Sequence, residues 1–137
     1  MILPGLSSFG QDDDTETIRN PKASEKIKAA HAAYITERLE LTSAEAEKFW
    51  PVYREYGEKR KEIRQQFRDA KRSGEDEKTL LELDLKIKQQ ELDLEKEYSL
   101  RFQKIISPEK LMKLRQAEID FRKLLLRQIL RRQQRSR

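Results

Sequence analysis

The sequence contains no cysteine and only one histidine, His31. Without cysteine the chain forms no disulfide, offers no thiolate to a metal and has no thiol nucleophile, although both reducing and oxidising compartments stay open. Its four glycines, at positions 5, 10, 57 and 74, are too scattered to make a phosphate-binding loop. No apolar run approaches the ~20 residues of a membrane span. These shortages exclude several kinds of site before any motif is considered.

Charge is what the sequence has in abundance. Charged residues make up 40% and apolar residues 36% of the 137 residues, against typical values of about 25% and 45–50% in globular domains. A chain of this length predicts one domain, and so much charge argues against a thick core. Because the apolar residues recur at helical spacing, the composition does not indicate disorder. We therefore expect an elongated, ordered, all-α protein.

The N-terminus has the small-residue pattern of a signal-peptidase site. Ser8 and Gly10 stand at the −3 and −1 positions before Gln11, but no basic segment and no long apolar segment precede them. We interpret residues 1–10 as the remnant of a signal peptide that starts upstream; a disordered terminus is the alternative. Residues 11–23 are polar and acidic, which predicts a flexible leader. The expected location is the periplasm, with the cytoplasm as the alternative.

Start signals and periodicity predict four helices. Their predicted ranges are residues 24–40, 42–73, 79–106 and 107–134, followed by a basic tail end at 135–137. Ser24 should cap the first helix, and a capping box of Thr79 and Glu82 should open the third. Gly74 suits a left-handed residue after the second helix, so the chain should turn back there.

The second helix should open with a capping box and continue through a proline. In the box the Thr42 hydroxyl accepts from a free amide, and Glu45 reaches back to the amide of Thr42. Pro51 removes a backbone donor and costs about 3 kcal/mol or more inside a helix, yet the apolar seam keeps its phase across it. This predicts one continuous helix that bends at Pro51. We expect Trp50 to brace the bend by packing against the first helix or the start of the fourth.

The fourth helix starts much as the second does. Leu41 and Thr42 correspond to Ile106 and Ser107, and Pro108 takes the first helical position, which proline favours. An internal duplication of the sequence would explain these shared features, but any two well-capped amphipathic helices also share them. These two helix starts nevertheless resemble the paired L-T-x-x-Q motifs of the Spy/CpxP-like periplasmic family.

A longer segment carries a more specific resemblance. KIKAAHAAYITERLELTSAEAEKFWPVYREYGEKRKEIR is similar to a Bacteroidetes branch of short exported proteins described as sensors of extracytoplasmic-function sigma factors or as periplasmic heavy-metal sensors. The resemblance covers residues 26–130. Glu45 stands where the motif has Gln, which a capping box tolerates. Lys110 stands at the second Gln position, where its side chain cannot accept the amide of the cap.

The resemblance implies a four-helix, hairpin-like subunit that pairs antiparallel with a second copy to form a thin, curved homodimeric cradle. It also implies an ATP-independent role in the envelope stress response, either as a chaperone that holds unfolded clients or as the partner of a periplasmic signalling protein. The residues alone also allow a cytoplasmic coiled-coil protein with a structural or regulatory role, whose basic C-terminal helix binds nucleic acid or an acidic partner.

No residues stand out for catalysis or for binding a cofactor. A transition-metal site needs several convergent ligands, and His31 is alone. We interpret His31 as a helix-face residue beside an alanine-rich contact, with a metal ligand as the alternative. The expected protein is not an enzyme and has no cofactor, and a single histidine weakens the metal-sensor description.

The aromatic stripe of the second helix is one candidate for contacts with a partner. Its residues Phe49, Tyr53, Tyr56 and Phe67 either pack inside the bundle or form a client-binding strip. Arg60 interrupts the stripe. We expect it to mark where the seam opens to solvent, or to pair with an acidic residue of the third helix such as Glu91.

The basic C-terminal segment, residues 122–137, is the other candidate. It has seven basic residues and no acidic one. Within it, Arg127, Arg131 and Arg132 are candidates for binding an acidic protein partner, a membrane surface or nucleic acid. No base-reading fold or aromatic platform accompanies the charge, which argues against nucleic acid. The alternative is a solvated helix end whose cations complement the helix dipole.

Overall fold

The computed structural model describes residues 21–136. Within that range the chain forms four α-helices and no strand, which confirms the all-α prediction. The helices are α1 Pro21–Leu39, α2 Ser43–Arg72, α3 Glu77–Gln103 and α4 Pro108–Arg135. The predicted signal-peptide remnant, residues 11–20 of the predicted leader, and Arg137 lie outside the described residues.

α1 begins earlier in the chain than predicted. The helix starts at Pro21 and already includes Ser24, so the prediction of Ser24 as N-cap, and of a leader that continues to residue 23, is wrong. A proline at the first helical position leaves no hydrogen bond unmade, because the first amides of a helix have no partner within it.

α3 also begins earlier than predicted, because Asp76 is its N-cap and Glu77 its first residue. The Thr79 backbone N–H donates to Oδ1 of Asp76 at 2.8 Å. The prediction that Thr79 caps α3 through a box with Glu82 is therefore wrong, since Thr79 already lies inside the first turn. Hydrogen bonds from the side chain and the backbone of Thr79 hold the pKa of Asp76 below its usual value.

α4 begins as predicted. Ser107 is the N-cap, its hydroxyl oxygen accepts from the Lys110 backbone N–H at 3.2 Å, and Pro108 is the first helical residue. The ammonium of Lys110 donates to the backbone carbonyl of Glu40 at 3.0 Å. Lys110 therefore stabilises the end of α1 through its side chain and the start of α4 through its amide.

α1 and α2 both end on a left-handed residue. Gly74 follows α2 with a φ of 75°, as predicted, whereas the corresponding residue after α1 is Glu40, with a φ of 51°. The same two backbone hydrogen bonds close each end. They are Glu40 N to Glu37 O and Leu41 N to Thr36 O after α1, and Gly74 N to Lys71 O and Glu75 N to Ala70 O after α2. Glycine takes this conformation without strain, but glutamate does not.

The described chain divides into two compact units. In one of them α2 and α3 form a helical hairpin joined by the Gly74 turn. Its buried residues include the aromatic side chains Phe49, Tyr56, Tyr98 and Phe102, together with Ile87 and Leu94. Phe49 and Phe102 lie with ring centroids 5.3 Å apart, and Tyr56 and Tyr98 with centroids 5.2 Å apart. Paired aromatic rings thus fill the narrow seam of the hairpin.

The other unit pairs α1 with α4. The two helices run antiparallel, since Lys110 near the start of α4 contacts Glu40 after the end of α1, while His31 lies beside Glu118 further along. Buried apolar residues of these helices are Ile35, Leu39, Leu111, Leu114 and Ala117. The predicted cradle shape, homodimer and single domain stay predictions.

Candidate binding surfaces

The two predicted paired motifs lie where helices start. α2 begins at Ser43, directly after Thr42, and α4 begins directly after Ser107. Leu41, which precedes the first cap, is half-buried, whereas Ile106, which precedes the second, is buried. Thr42 is exposed and Glu45 half-buried; the reciprocal bonds of their capping box stay a prediction.

α2 runs without a break from Ser43 to Arg72, with Pro51 inside it. This confirms the prediction of one continuous helix. Pro51 is exposed, as is Glu47, so water can reach the carbonyl that an amide at position 51 would have bonded. The half-buried Trp50 ring meets the rings of Phe49 and Tyr53 edge-on, at 5.0 and 5.3 Å between centroids. The bend at Pro51 and its bracing by Trp50 stay predictions.

Two of the four residues in the aromatic stripe of α2 belong to the core. Phe49 and Tyr56 are 0% and 3% exposed, so they pack inside the protein and a partner could reach them only after a rearrangement. Tyr53 and Phe67 are half-buried and remain candidate contacts. Burial raises the pKa of Tyr56 to about 12, because the ionised phenolate would lose its hydration.

Arg60 does not open the seam to solvent and does not pair with Glu91, so both predictions for it are wrong. It is 6% exposed, and its guanidinium lies 5.4 Å from the centroid of the Tyr56 ring. Glu91 instead pairs with Arg64, one turn further along α2, at 3.0 Å between Nε and Oε1. Burial and the nearby charge of Arg60 lower the pKa of Arg64. The sequence spacing did not distinguish which arginine faces Glu91.

A polar cluster lies on the rim of the hairpin at Glu55, Tyr98 and Arg101. The Tyr98 hydroxyl donates to Oε2 of Glu55 at 2.6 Å, and Arg101 pairs with the same oxygen. These bonds, first from Tyr98 and then from Arg101, hold the pKa of Glu55 below its usual value. Burial, and then the bond to Glu55, raises the pKa of Tyr98. The sequence spacing did not predict this contact between α2 and α3.

His31 has a carboxylate partner that the sequence did not predict. Its Nε2 atom lies 3.1 Å from both side-chain oxygens of Glu118, and Glu118 is 5% exposed. The imidazole also meets the Phe121 ring edge-on, with 5.0 Å between centroids. Nowhere in residues 21–136 do three or more His, Cys, Asp or Glu side chains gather as metal ligands would. The pair therefore provides one polar contact within the seam of α1 and α4.

A groove of about 480 Å³ lies between the first half of α1 and the last half of α4. Among the residues of 21–136, the lining is apolar except for three basic side chains and one amide. The lining residues are Lys22, Ala23, Lys26, Ile27 and Ala30 from α1, and Phe121, Leu124, Leu125, Gln128, Ile129 and Arg132 from α4. Of the three predicted arginines, only Arg132 lies on this groove.

The other side of α4, which we call the outer face, combines leucines with cations. Leu126 and Leu130 are 39% and 56% exposed, and Lys123 and Arg127 are exposed beside them. These four positions are spaced by three and four residues, so they share one side of the helix. The predicted partner residue Arg131 is exposed as well, at the border between this face and the groove.

α3 of the hairpin also exposes large apolar side chains. Leu81, Leu85 and Leu100 are each about two-thirds exposed. Their neighbours in sequence carry charges of both signs, including Glu82, Asp84 and Arg101, whereas those of the α4 outer face are basic. The exposed leucines of α3 therefore lack the uniformly basic setting of the α4 outer face.

Comparisons with models of known protein families, with curated proteins and with solved structures give no match for this chain. Of the described helices, none combines the length and the apolar character needed to cross a bilayer.

Proposed function

We propose that this chain is an ATP-independent binding protein of the envelope stress response. It holds unfolded clients, or binds the periplasmic domain of a signalling partner such as a sigma factor regulator, through a mixed apolar and basic helical surface. The observation that carries the proposal is the outer face of α4, where the exposed leucines 126 and 130 lie among Lys123 and Arg127. Periplasmic location and a homodimeric cradle belong to the same proposal.

Such a face suits a partner that is unfolded and acidic. An unfolded segment presents apolar side chains that gain by leaving water, at about 25 cal/mol per Å² of buried apolar area. The cations add a long-range attraction for acidic segments, and the net charge of +5 has the same sign. Neither contribution requires nucleotide. Contacts that depend on a few leucines and surface charges should be reversible and should weaken as salt is raised.

The resemblance of residues 26–130 to the Spy/CpxP-like family supports the same function. The positions of this chain that correspond to the family motif are the helix starts at Leu41 with Thr42 and at Ile106 with Ser107. Two departures, Glu45 and Lys110, replace the glutamines of the motif. At the second position Lys110 bonds the carbonyl of Glu40, so this chain uses the motif position for a different contact.

A client-aggregation assay tests the holdase function. Reduced α-lactalbumin is a suitable client, because the reductant cannot affect a chain without cysteine. We expect suppression of light scattering at stoichiometric amounts without nucleotide. The double variant Leu126→Ser/Leu130→Ser should lose most of it, whereas Leu81→Ser/Leu85→Ser, which removes two more exposed leucines from α3, should keep it.

Each outcome of this assay has a meaning. If the unaltered protein does not suppress aggregation, the holdase function is refuted, and crosslinking in the periplasm then tests the signalling function. If both double variants lose activity equally, the client recognises exposed leucine in general and not the basic outer face of α4.

One observation favours a second function, in which a cytoplasmic coiled-coil protein binds nucleic acid or an acidic partner. Residues 122–137 carry seven basic side chains and no acidic one. This function is tested by measuring the binding of labelled duplex DNA through its fluorescence anisotropy at several salt concentrations. A steep loss of affinity with salt, in proportion to the number of phosphates contacted, together with recovery of the protein in the cytoplasmic fraction, would favour this alternative.

A further inference from the structure

We infer that the groove between α1 and α4 binds a single-chain anionic amphiphile, that is, a long-chain carboxylate. This goes beyond the proposed function, because the groove lies on the opposite side of α4 from the outer face and would take a small molecule. The tail would lie along the apolar part of the groove, and the carboxylate would lie among Lys22, Lys26 and Arg132.

The antiparallel register places the polar and apolar parts of the groove at opposite ends. Lys22 and Lys26 belong to the first turns of α1, and Arg132 belongs to the last turn of α4. Because the helices run in opposite directions, these cations lie at the same end. Ala30 and Phe121 lie at the other end. The groove is therefore basic at its mouth and apolar further in.

The inner end is closed by aromatic side chains. The centroid of the Phe121 ring lies 5.0 Å from that of His31 and 5.5 Å from that of Tyr34. Beyond them the seam continues with the buried Glu118. A ligand tail that entered from the mouth would thus end against Phe121, which sets an upper limit on its length.

The sides of the groove are apolar side chains that still contact water. Ile27, Leu125 and Ile129 are only half-buried, and Leu124 is 39% exposed. A hydrocarbon tail would cover them, and each methylene it buries should strengthen binding about fourfold. The volume of about 480 Å³ lies within the range of roughly 300–1,000 Å³ that small-molecule sites have.

Charge complementarity selects an anionic head group. Of the described residues that line the groove, all three ionisable ones are basic and none is acidic. The cations gather at one end and do not follow both edges of the groove. That arrangement fits a ligand with one charged end better than an acidic amphipathic helix, whose charges would be distributed along its length.

Titration calorimetry of the full chain with laurate, below the concentration at which laurate forms micelles, tests the inference. We expect saturable binding with one laurate per chain. Octanoate, which has four methylenes fewer, should bind about 200-fold more weakly. Dodecyltrimethylammonium, with a tail of the same length and the opposite charge, should show no saturable binding.

Two charge-reversed variants locate the site. Lys26→Glu/Arg132→Glu changes the mouth of the groove and should weaken laurate binding at least tenfold. Lys123→Glu/Arg127→Glu changes the net charge equally on the outer face and should leave laurate binding unchanged. All four residues are exposed, so both variants should fold, which circular dichroism checks.

Three results would overturn the inference. One is the absence of saturable laurate binding, and another is an equal loss in both variants, which would indicate only general attraction between charges. The third is tight binding to phosphatidylglycerol vesicles without binding of free laurate, which would assign the basic end of α4 to a membrane surface. None of these results bears on the aggregation assay, whose critical residues lie on the outer face.

Discussion

Replacing Glu40 by glycine should stabilise this protein. Glu40 follows α1 with a φ of 51°, in the same hydrogen-bonded helix ending that Gly74, with a φ of 75°, provides after α2. Its side chain is exposed, and the contact from Lys110 is to the backbone carbonyl. The substitution therefore relieves the backbone without removing a packing contact or a hydrogen bond.

The size of the effect follows from three contributions. A left-handed conformation costs a residue with a Cβ roughly 1–2 kcal/mol, which glycine avoids. Glycine loses more conformational freedom on folding, which subtracts about 0.5–1 kcal/mol. Removing a negative charge from the C-terminal end of α1 adds about 0.3 kcal/mol or slightly more. The expected net gain in the free energy of unfolding is about 1 kcal/mol.

Urea unfolding and thermal unfolding, both followed by circular dichroism, measure this gain. For a chain of this size, about 1 kcal/mol corresponds to a rise in Tm of roughly 3–6 °C. Two control substitutions separate backbone from charge. Glu40→Ala keeps the Cβ and should gain only the small electrostatic part, while Glu40→Asn should lie between alanine and glycine, because asparagine tolerates the left-handed region.

The opposite change at Gly74 completes the comparison. Apart from Gly74 itself and its two chain neighbours, nothing lies within 4 Å of a Cβ added to Gly74, so Gly74→Ala introduces backbone strain without a steric clash. It should lower the free energy of unfolding by about 1 kcal/mol. The reasoning would be refuted if Glu40→Ala stabilised as much as Glu40→Gly, or if Gly74→Ala had no effect.

Three further predictions concern hydrogen bonds and buried groups. Tyr98→Phe should lower Tm at neutral pH and by less near pH 3. The Tyr98 hydroxyl helps to lower the pKa of Glu55, and this contributes stability above the unfolded pKa of the carboxyl that is lost as pH falls through its folded pKa. Equal effects on Tm at both pH values would contradict this prediction. Burial raises the pKa of Tyr56 to about 12. Its neutral phenol therefore contributes stability to the folded protein that is fully present below the unfolded pKa near 10 and is lost as pH rises to about 12. The Tm of Tyr56→Phe should therefore rise relative to that of the unaltered protein across this window, and a constant difference would exclude the linkage. Ser107→Ala should cost about 1 kcal/mol in urea unfolding, since the Lys110 amide loses its acceptor, whereas Ser136→Ala at the far end of α4 should cost much less.

Local features of the fold could be predicted from the sequence, because they depend on a few neighbouring residues. Ser107 with Pro108 defines a helix start by its own hydrogen bonding and fixed φ, and Gly74 supplies a left-handed turn. The continuity of α2 through Pro51 followed from an apolar seam that keeps its phase. The start of α3 was predicted incorrectly for a local reason as well. Both Asp76 and Thr79 are good N-cap residues, and only the backbone geometry shows that Asp76 is the cap.

Contacts between helices depended on the tertiary structure. Arg60 and Arg64 are one turn apart on α2, and small differences in rotation and tilt decide that Arg64 meets Glu91 while Arg60 lies over Tyr56. His31 and Glu118 are far apart in the sequence, so no spacing rule relates them. The groove has the same origin. Its apolar and basic residues come from the first half of α1 and the last half of α4, and only the antiparallel packing of these helices brings them to one site.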